Sequence, residues 1–216
     1  MNMESRMGLG NEPIPHFSFD IMLAVESLVL TGLGVGLASV AGVRAFVPLA
    51  LCALFSRFGF IEPPDILGLQ VGWTLVLVLA ALAVLEIVLD KIRALAPAFG
   101  YAMVPVRAVA GAVLFATVVG VGGPFGTVPG LAAGAVIAAL VAVLGVVLRP
   151  QWGSSSAGVS TAFLSAMEDL VAVLGGVLGI FLPFVPVLLV GFLLFFFHRI
   201  RKRRGRKYGG LRILGD

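Results

Sequence analysis

The stretch TGLGVGLASVAGVRAFVP, residues 31–48, decides the fold of this chain. It lies inside an apolar run at 21–60, which Arg44 interrupts. A straight helix of about 40 residues would be roughly 60 Å long, about twice the ~30 Å hydrocarbon core of a bilayer. We therefore expect the chain to turn back near Arg44, so that one helix ends and another begins inside this stretch.

The composition is that of an integral membrane protein. Of the 216 residues, 60% are hydrophobic and 12% are charged, and the mean hydropathy is +1.11. Soluble domains are about half apolar and about a quarter charged, so a soluble fold could not bury this much apolar surface. The length permits one bundle of several spans without a sizeable soluble domain. Cys52 is the single cysteine, which excludes an intramolecular disulfide.

Hydrophobic patterning predicts an all-α, polytopic transmembrane helix bundle with six to seven spans. We expect long helices at 21–43, 72–92, 101–121, 128–148, 161–182 and 184–199. A short helix at 45–58, after Arg44, has about 14 residues and is therefore either a span of a thinned bilayer or re-entrant. The predicted organisation is a polar leader at 1–20, one transmembrane domain at 21–199 and a basic tail at 200–216.

Loop charges orient the predicted bundle. Eight of the fifteen Lys and Arg residues lie at 199–212. If this tail is cytoplasmic, the spans place Arg44, Lys91, Arg107 and Arg149 on the same side, which satisfies the positive-inside rule. We therefore expect an inner-membrane protein with a cytoplasmic C-terminus. The N-terminus is outside if the short helix spans and inside if it is re-entrant.

The basic run HRIRKRRGRK, residues 198–207, identifies an expected partner. A run of this charge is also compatible with nucleic-acid binding. Directly after a span, however, it is better explained as a topology signal and a contact with anionic lipid head groups. The expected partners are thus the lipid bilayer and its anionic head groups, with no nucleic acid, and the sequence leaves a homo-oligomer open.

Charged residues inside the apolar helices form the candidate site. Glu86 and Asp90 are one turn apart on one helix face, and Glu86 lies about 6–9 Å inside the helix end. Glu168 and Asp169 enter the predicted helix at 161–182 from the same side. Because an ionised group in lipid costs several kcal/mol, such groups must pair, face the bundle interior or line water. The predicted ion or substrate pathway consists of Arg44, Glu86, Asp90, Arg107, Arg149, Glu168 and Asp169.

The same charges allow more than one function. In a small transporter or channel-like permease, an arginine would bind an anionic solute or small ion, and Glu86 or Glu168 would titrate. In a non-transporting scaffold or lipid-interacting protein, the charges would only fix the order of the helices. A lipid-modifying enzyme is a weaker third hypothesis, because two carboxylates can serve as acid and base. Transport is the leading hypothesis; a solvated cavity touching Glu86 would favour it, and a dry, fully paired layer would favour the scaffold.

The sequence contains no recognisable catalytic or cofactor motif. His16 and His198 have no Cys or His neighbours at metal-ligand spacing. A Ser/His/Asp arrangement cannot be assembled, and no phosphate-binding loop or dinucleotide fingerprint is present. We therefore expect no enzyme activity, no cofactor and no metal site.

Glycines at helical spacing predict close helix packing. Gly32 and Gly36 are one turn apart in the first helix, and Gly175 and Gly179 are one turn apart in the predicted helix at 161–182. Small residues at this spacing let a second backbone approach closely. A faint internal similarity aligns GVRAFVPLAL at 42–51 with PVRAVAGAVL at 105–114. Transporter repeats are often this weak, but chance matching is the simpler explanation in a chain so rich in Val, Ala and Leu.

Several motifs together carry a resemblance. They are the glycine-rich first helix leading to GVRAFVPL, LEIVLDKI at 85–92, the later Arg149-Pro150, and SAMEDL at 165–170. With them, residues 30–199 resemble a family of bacterial integral membrane proteins of unknown function. The resemblance implies the architecture and brings no activity or substrate.

Overall fold

The computed structural model describes residues 16–60, 71–92, 96–120, 127–149 and 161–209. Within these ranges the chain forms eight α-helices and no strand, which confirms the predicted all-α class. A π-helical segment, Ala116–Gly120, continues the fifth helix. The helices are α1 (His16–Val43), α2 (Phe46–Arg57), α3 (Trp73–Lys91), α4 (Ala96–Ala102), α5 (Val104–Phe115), α6 (Thr127–Leu148), α7 (Thr161–Phe181) and α8 (Val185–Gly209).

Parts of the sequence analysis lie outside the described residues. They are the first fifteen residues of the predicted leader, residues 210–216 of the predicted tail, and the stretches 61–70, 93–95, 121–126 and 150–160 between or beside the predicted helices. Where the two can be compared, α1 begins at His16, inside the predicted leader. The last helix, α8, continues to Gly209, beyond the predicted boundary at 199.

Among the described residues, four helical segments are long and apolar enough to cross a membrane. They are Ile21–Val43, Trp73–Lys91, Thr127–Leu148 and Phe163–Phe181, with 19 to 23 residues each. A span of the ~30 Å hydrocarbon core needs about 20 residues. Two shorter apolar segments, Phe46–Arg57 and Val104–Val119, lie between them in the chain. The architecture is therefore that of a helical membrane bundle, and helix length alone does not fix how many spans it has.

The distribution of polarity in α3 is the reverse of that in a soluble helix. Its buried residues include two carboxylates, Glu86 and Asp90, which are 2% and 1% exposed. Its exposed residues include Leu77, Leu85 and Val88. Apolar side chains outside and charged side chains inside are the pattern that a lipid environment imposes, because an unpaired charge facing lipid is costly.

A break lies near the start of the helix predicted at 101–121. Residues 101–102 belong to α4, whereas α5 and its π-helical continuation cover 104–120, and the two helices are separated at Met103. Pro105 lies in the first turn of α5. Its ring would clash with the carbonyl four residues earlier, and it has no N–H to donate there, so a helix cannot run straight through it. The sequence analysis missed this break, although Pro105 signals it.

The buried charges lie at one end of the bundle. At this end α1, α3 and α6 end, and α2, α5 and α7 begin. The opposite end carries Trp73, whose ring lies 5.5 Å from the Arg57 guanidinium and 6.0 Å from the Phe58 ring. Since Trp73 and Lys91 are the two ends of α3, the two levels are about 27 Å apart, close to the thickness of a hydrocarbon core.

Small residues allow α5 and α6 to touch through their backbones. A Cβ added to Gly134 would lie 2.3 Å from the carbonyl oxygen of Gly111. On α6, every fourth residue of one stripe is small and buried: Gly130, Gly134, Ala138 and Ala142. The sequence analysis did not single out this stripe, although its spacing is the one that marks close helix packing in membranes.

The four glycines predicted to pack lie elsewhere, between α1 and the α7–α8 pair. An added Cβ would lie 3.0 Å from the Phe184 ring at Gly32 and 3.0 Å from the carbonyl oxygen of Pro183 at Gly36. A Cβ added to Gly175 would lie 2.7 Å from the Val40 side chain, and one added to Gly179 would lie 2.9 Å from the Pro186 side chain. Each of these glycines therefore faces a neighbouring segment at a distance that leaves little room for a side chain.

Candidate functional site

All seven predicted pathway residues lie in one layer of the bundle. We call these residues the charged layer: Arg44, Glu86, Asp90, Arg107, Arg149, Glu168 and Asp169. They belong to the α1–α2 junction, α3, α5, the end of α6 and α7. Lys91 joins them through Asp169, with 3.2 Å between Nζ and Oδ2. Counting Lys91, four cations face four carboxylates, so the formal charges balance.

Asp90 is the centre of the layer. It receives two parallel hydrogen bonds from Arg149, with 2.7 Å from Nη1 to Oδ1 and 2.9 Å from Nη2 to Oδ2. Nη2 of Arg44 donates to Oδ2 at 2.9 Å, and the Ser165 hydroxyl donates to the same oxygen at 3.1 Å. Bidentate, charge-assisted bonds of this kind are among the strongest in proteins. One carboxylate of α3 thus binds the α1–α2 junction, the end of α6 and the start of α7.

Glu86 caps the N-terminus of α2. Its two carboxylate oxygens accept hydrogen bonds from the backbone N–H groups of Ala45 and Phe46, each at 3.2 Å. Arg107 Nη2 lies 3.3 Å from Oε1. The first N–H groups of a helix have no partner within the helix, and a negative charge there is favoured by the helix dipole. Because Ala45 has no side-chain acceptor, Glu86 supplies from α3 the cap that α2 itself lacks.

Replacing Glu86 with glutamine tests this capping role. The amide keeps the shape but loses the charge and one acceptor, so we expect Glu86→Gln to lower the free energy of unfolding by about 1–3 kcal/mol. Thermal unfolding of the purified protein in detergent measures the change. Glu26→Gln in α1 is the control, because Glu26 is exposed. Equal melting temperatures for the two variants would show that Glu86 does not stabilise the turn.

Arg44 is completely buried at the two-residue junction between α1 and α2, with 0% of the residue exposed. Besides Asp90, its Nη2 lies 2.8 Å from Asp169 Oδ1 and 3.7 Å from Glu168 Oε2. The Asp169 contact has the distance of an ion pair but lacks hydrogen-bond geometry, since Oδ1 has no hydrogen-bond donor among the residues that the structure describes. Nε and Nη1 of Arg44 likewise have no acceptor among the described residues.

Arg149 follows the last residue of α6. Burial disfavours its cationic form, but the Glu168 carboxylate and the hydrogen-bonded Asp90 outweigh burial and raise the pKa of the guanidinium above its ordinary value. Nη1 of Arg149 lies 3.4 Å from Glu168 Oε2. Arg149 is therefore a permanent cation of the layer.

A small cavity of about 30 Å³ adjoins the charged layer, and we call it the polar cleft. Four charged residues line it, Asp90, Arg107, Arg149 and Glu168, and the rest of its wall consists of glycines and apolar residues of α1, α4, α6 and α8. A polar cavity of this volume has room for one or two water molecules. The cleft reaches Arg107 and Glu168, whereas Glu86 is not part of its lining.

Two contributors to this network were missed by the sequence analysis. Ser165 donates to Asp90, and Lys91 pairs with Asp169. Ser165 lies three and four positions before the two carboxylates of α7, the spacing that places side chains on one helix face. In the described part of the chain, no group of three or more His, Cys, Asp or Glu side chains is arranged to hold a metal ion.

Comparison with known proteins identifies a family for this chain but no activity. Residues 31–203, from within α1 to the basic part of α8, match one family model. No curated protein and no solved structure matches the chain significantly. The chemistry of the site therefore has to be argued from the charged layer and the polar cleft themselves.

Proposed function

Because the chain belongs to the family of the domain of unknown function DUF4126, which carries no assigned activity, we propose from the site alone that this protein is a small membrane transporter or permease. Its solute pathway would run through the polar cleft. The observation that carries the proposal is the lining of the cleft, where charged side chains from α3, α5, α7 and the residue after α6 surround a space that accommodates water. Ionisable residues at membrane depth are costly and often mark ion or substrate pathways.

The scaffold is the second candidate, and a specific observation favours it. Both carboxylates of α3 have their hydrogen bonds satisfied, Asp90 by two arginines and a serine and Glu86 by two backbone amides and an arginine. Such a network holds helices in order without any solute. The cleft does not reach Glu86, the contact that the sequence analysis expected of a transporter, but it touches Arg107 and Glu168. We prefer the transporter because this polar space remains beside the paired network.

The orientation proposed for this transporter places the charged layer near the cytoplasm. Lys91 and Arg201 are exposed at that end of the bundle, and Arg201 also donates to the carbonyl oxygen of Val147 in the last turn of α6. Exposed basic residues at one end are typical of the cytoplasmic side and attract anionic lipid head groups.

Closing the polar cleft tests the transporter. A Cβ added to Gly145, which lines the cleft, meets no atom within 4 Å, so a side chain can begin there without a clash, and we expect leucine to fill the cleft. We expect Gly145→Leu to reduce ion flux in reconstituted vesicles to the level of protein-free vesicles. The probes are potassium, sodium, chloride and nitrate, each followed with an ion-selective electrode.

Gly191→Leu is the matched control. Gly191 lies in α8, is exposed, and likewise has no atom within 4 Å of an added Cβ. Both changes replace a helical glycine with leucine, which gains about 1 kcal/mol of helix propensity. Flux equal to wild type is expected for the control. Wild-type vesicles that pass none of the four ions would contradict the transporter and leave the scaffold.

A further inference from the structure

The charged layer contains hydrogen-bond donors without acceptors. Nε and Nη1 of Arg44 and Nε of Arg107 are buried, and none of them has an acceptor within the described part of the chain. Asp169 Oδ1 is an acceptor without a hydrogen-bond donor among the described residues, but it already lies 2.8 Å from Arg44 Nη2. Leaving a buried donor unpaired is destabilising, and more so when the donor is charged. The layer is therefore short of acceptors.

One of these unpaired donors belongs to Arg107, which lines the polar cleft. It is only 7% exposed, its Nη2 is engaged by Glu86, and it lines the cleft with its Nε unpaired. Arg149 adds a second cation to the lining, while α8 contributes apolar side chains, including Leu193 and Phe197. Cationic N–H donors beside an apolar wall suit a small, weakly hydrated anion. A metal cation would meet two arginines there.

Glu168 is the carboxylate whose place such an anion would take. Its nearest cations are Arg149 Nη1 at 3.4 Å and Arg44 Nη2 at 3.7 Å, both beyond the usual range of about 2.7–3.2 Å for a hydrogen bond. By contrast, Asp90 has direct hydrogen bonds to both of these arginines. Loss of the charge on Glu168 would therefore break the weakest pairing of the layer and leave both guanidiniums available.

The charge balance requires a proton to accompany the anion. The charged layer with Lys91 is neutral, so an added anion would leave one uncompensated negative charge in a poorly solvated interior, which is costly. A proton on Glu168 restores neutrality. The charged groups around Glu168 are Arg44 from the α1–α2 junction, Asp90 from α3, Arg107 from α5 and Arg149 from the end of α6, with Asp169 beside it on α7. On the α8 side, the cleft is lined by apolar residues.

We propose that the polar cleft binds one small monovalent anion, of the size of chloride or nitrate, together with one proton on Glu168. The proposal deepens the proposed function, on which it rests, by naming the class of substrate and its coupling ion. The anion accepts hydrogen bonds from Arg107 and Arg149. The proton comes from solvent, so the net charge of the site does not change when both are bound.

Nitrate binding to the purified full-length protein in detergent tests the site. Isothermal titration calorimetry with sodium nitrate is carried out at several pH values and in two buffers of different ionisation enthalpy, which together give the number of protons taken up. For the wild type we expect one proton per nitrate. The apparent Kd should therefore rise about tenfold per pH unit once Glu168 is ionised in the free protein. Sodium chloride is expected to compete.

Two variants separate the parts of the proposal. Glu168→Gln keeps the shape of the protonated acid, so we expect it to bind nitrate with a pH-independent Kd and no proton uptake. Gly145→Leu fills the cleft and is expected to abolish binding, whereas Gly191→Leu should bind as the wild type does. A wild type that binds no nitrate, or that binds it with a pH-independent Kd, overturns the proposal.

Binding and flux fail in distinguishable ways. Nitrate binding with proton uptake but no flux in vesicles would support the anion site and contradict the transporter. Potassium or sodium flux that Gly145→Leu blocks, without nitrate binding, would support the transporter and overturn the anion site. A wild type that shows neither binding nor flux contradicts both proposals.

Discussion

Replacing Asp90 with asparagine is expected to lower the free energy of unfolding by about 3–5 kcal/mol, the range found when one partner of a buried ion pair is removed. The amide has one acceptor oxygen and no charge, so Arg44 and Arg149 would lose their shared counterion while remaining buried. Asp90 is 1% exposed, which leaves little access for water to replace it. Unfolding in detergent, followed by circular dichroism, measures the loss.

A double-mutant cycle identifies the cause of this loss. Adding Arg149→Gln to Asp90→Asn removes one of the two unpaired guanidiniums, so the double variant should be less destabilised than the sum of the single variants. Glu26→Gln, at an exposed position of α1, controls for loss of a carboxylate as such. Additive effects would show that the loss does not come from the pairing of Asp90 with Arg149. A loss below about 1 kcal/mol for Asp90→Asn would show that the network contributes little to stability.

The second large effect is expected where α5 and α6 touch. Even alanine at Gly134 would place its Cβ 2.3 Å from the Gly111 carbonyl oxygen and 2.5 Å from Phe115 Cβ. Overpacking usually costs about 1–3 kcal/mol, and here the obstacle includes backbone, which cannot rotate away. We therefore expect Gly134→Ala to destabilise the protein by at least about 3 kcal/mol and to broaden its gel-filtration profile in detergent.

Gly130 provides a control on the same helix, one turn earlier. Its added Cβ would lie 3.6 Å from Ala116 Cα, which is an ordinary van der Waals distance. Gly130→Ala should therefore keep the melting temperature and the gel-filtration profile of the wild type. Similar behaviour of the two variants would mean that the helices separate easily at Gly134, and the inferred backbone contact would be wrong.

Gly134 and Asp90 illustrate the two kinds of interaction that fix how helices pack against one another in a membrane. Lipid chains are as apolar as leucine, so no hydrophobic effect distinguishes one helix pairing from another, and packing and hydrogen bonds decide the arrangement. Gly134 contributes the packing of α5 on α6, and Asp90 contributes the hydrogen bonds between α3 and its neighbours. Gly134→Ala and Asp90→Asn should therefore destabilise the fold whether or not the protein binds a solute.

Much of the charged layer could be predicted from sequence because of where its residues lie in the helices. A charge close to the end of an apolar helix has a known depth, and helices of alternating direction bring those ends to the same level. Arg44, Asp90 and Arg149 were placed together by this argument. The α4–α5 break and the small-residue stripe of α6 were also readable, from Pro105 and from the four-residue spacing of Gly130 and Gly134, but other features were given more weight.

The sequence by itself determined an all-helical membrane protein whose charged residues must face inward, because its composition leaves too few polar groups for a soluble surface and lipid does not solvate charge. Only the tertiary structure decided which groups pair: Glu86 caps α2 across 41 positions, and Ser165 reaches Asp90 across 75. The structure alone also places the polar cleft beside Arg107 and Glu168 and away from Glu86. The physical reason is that these contacts depend on how each helix is rotated about its axis, and helices that are apolar on nearly every side carry no sequence pattern that states that rotation.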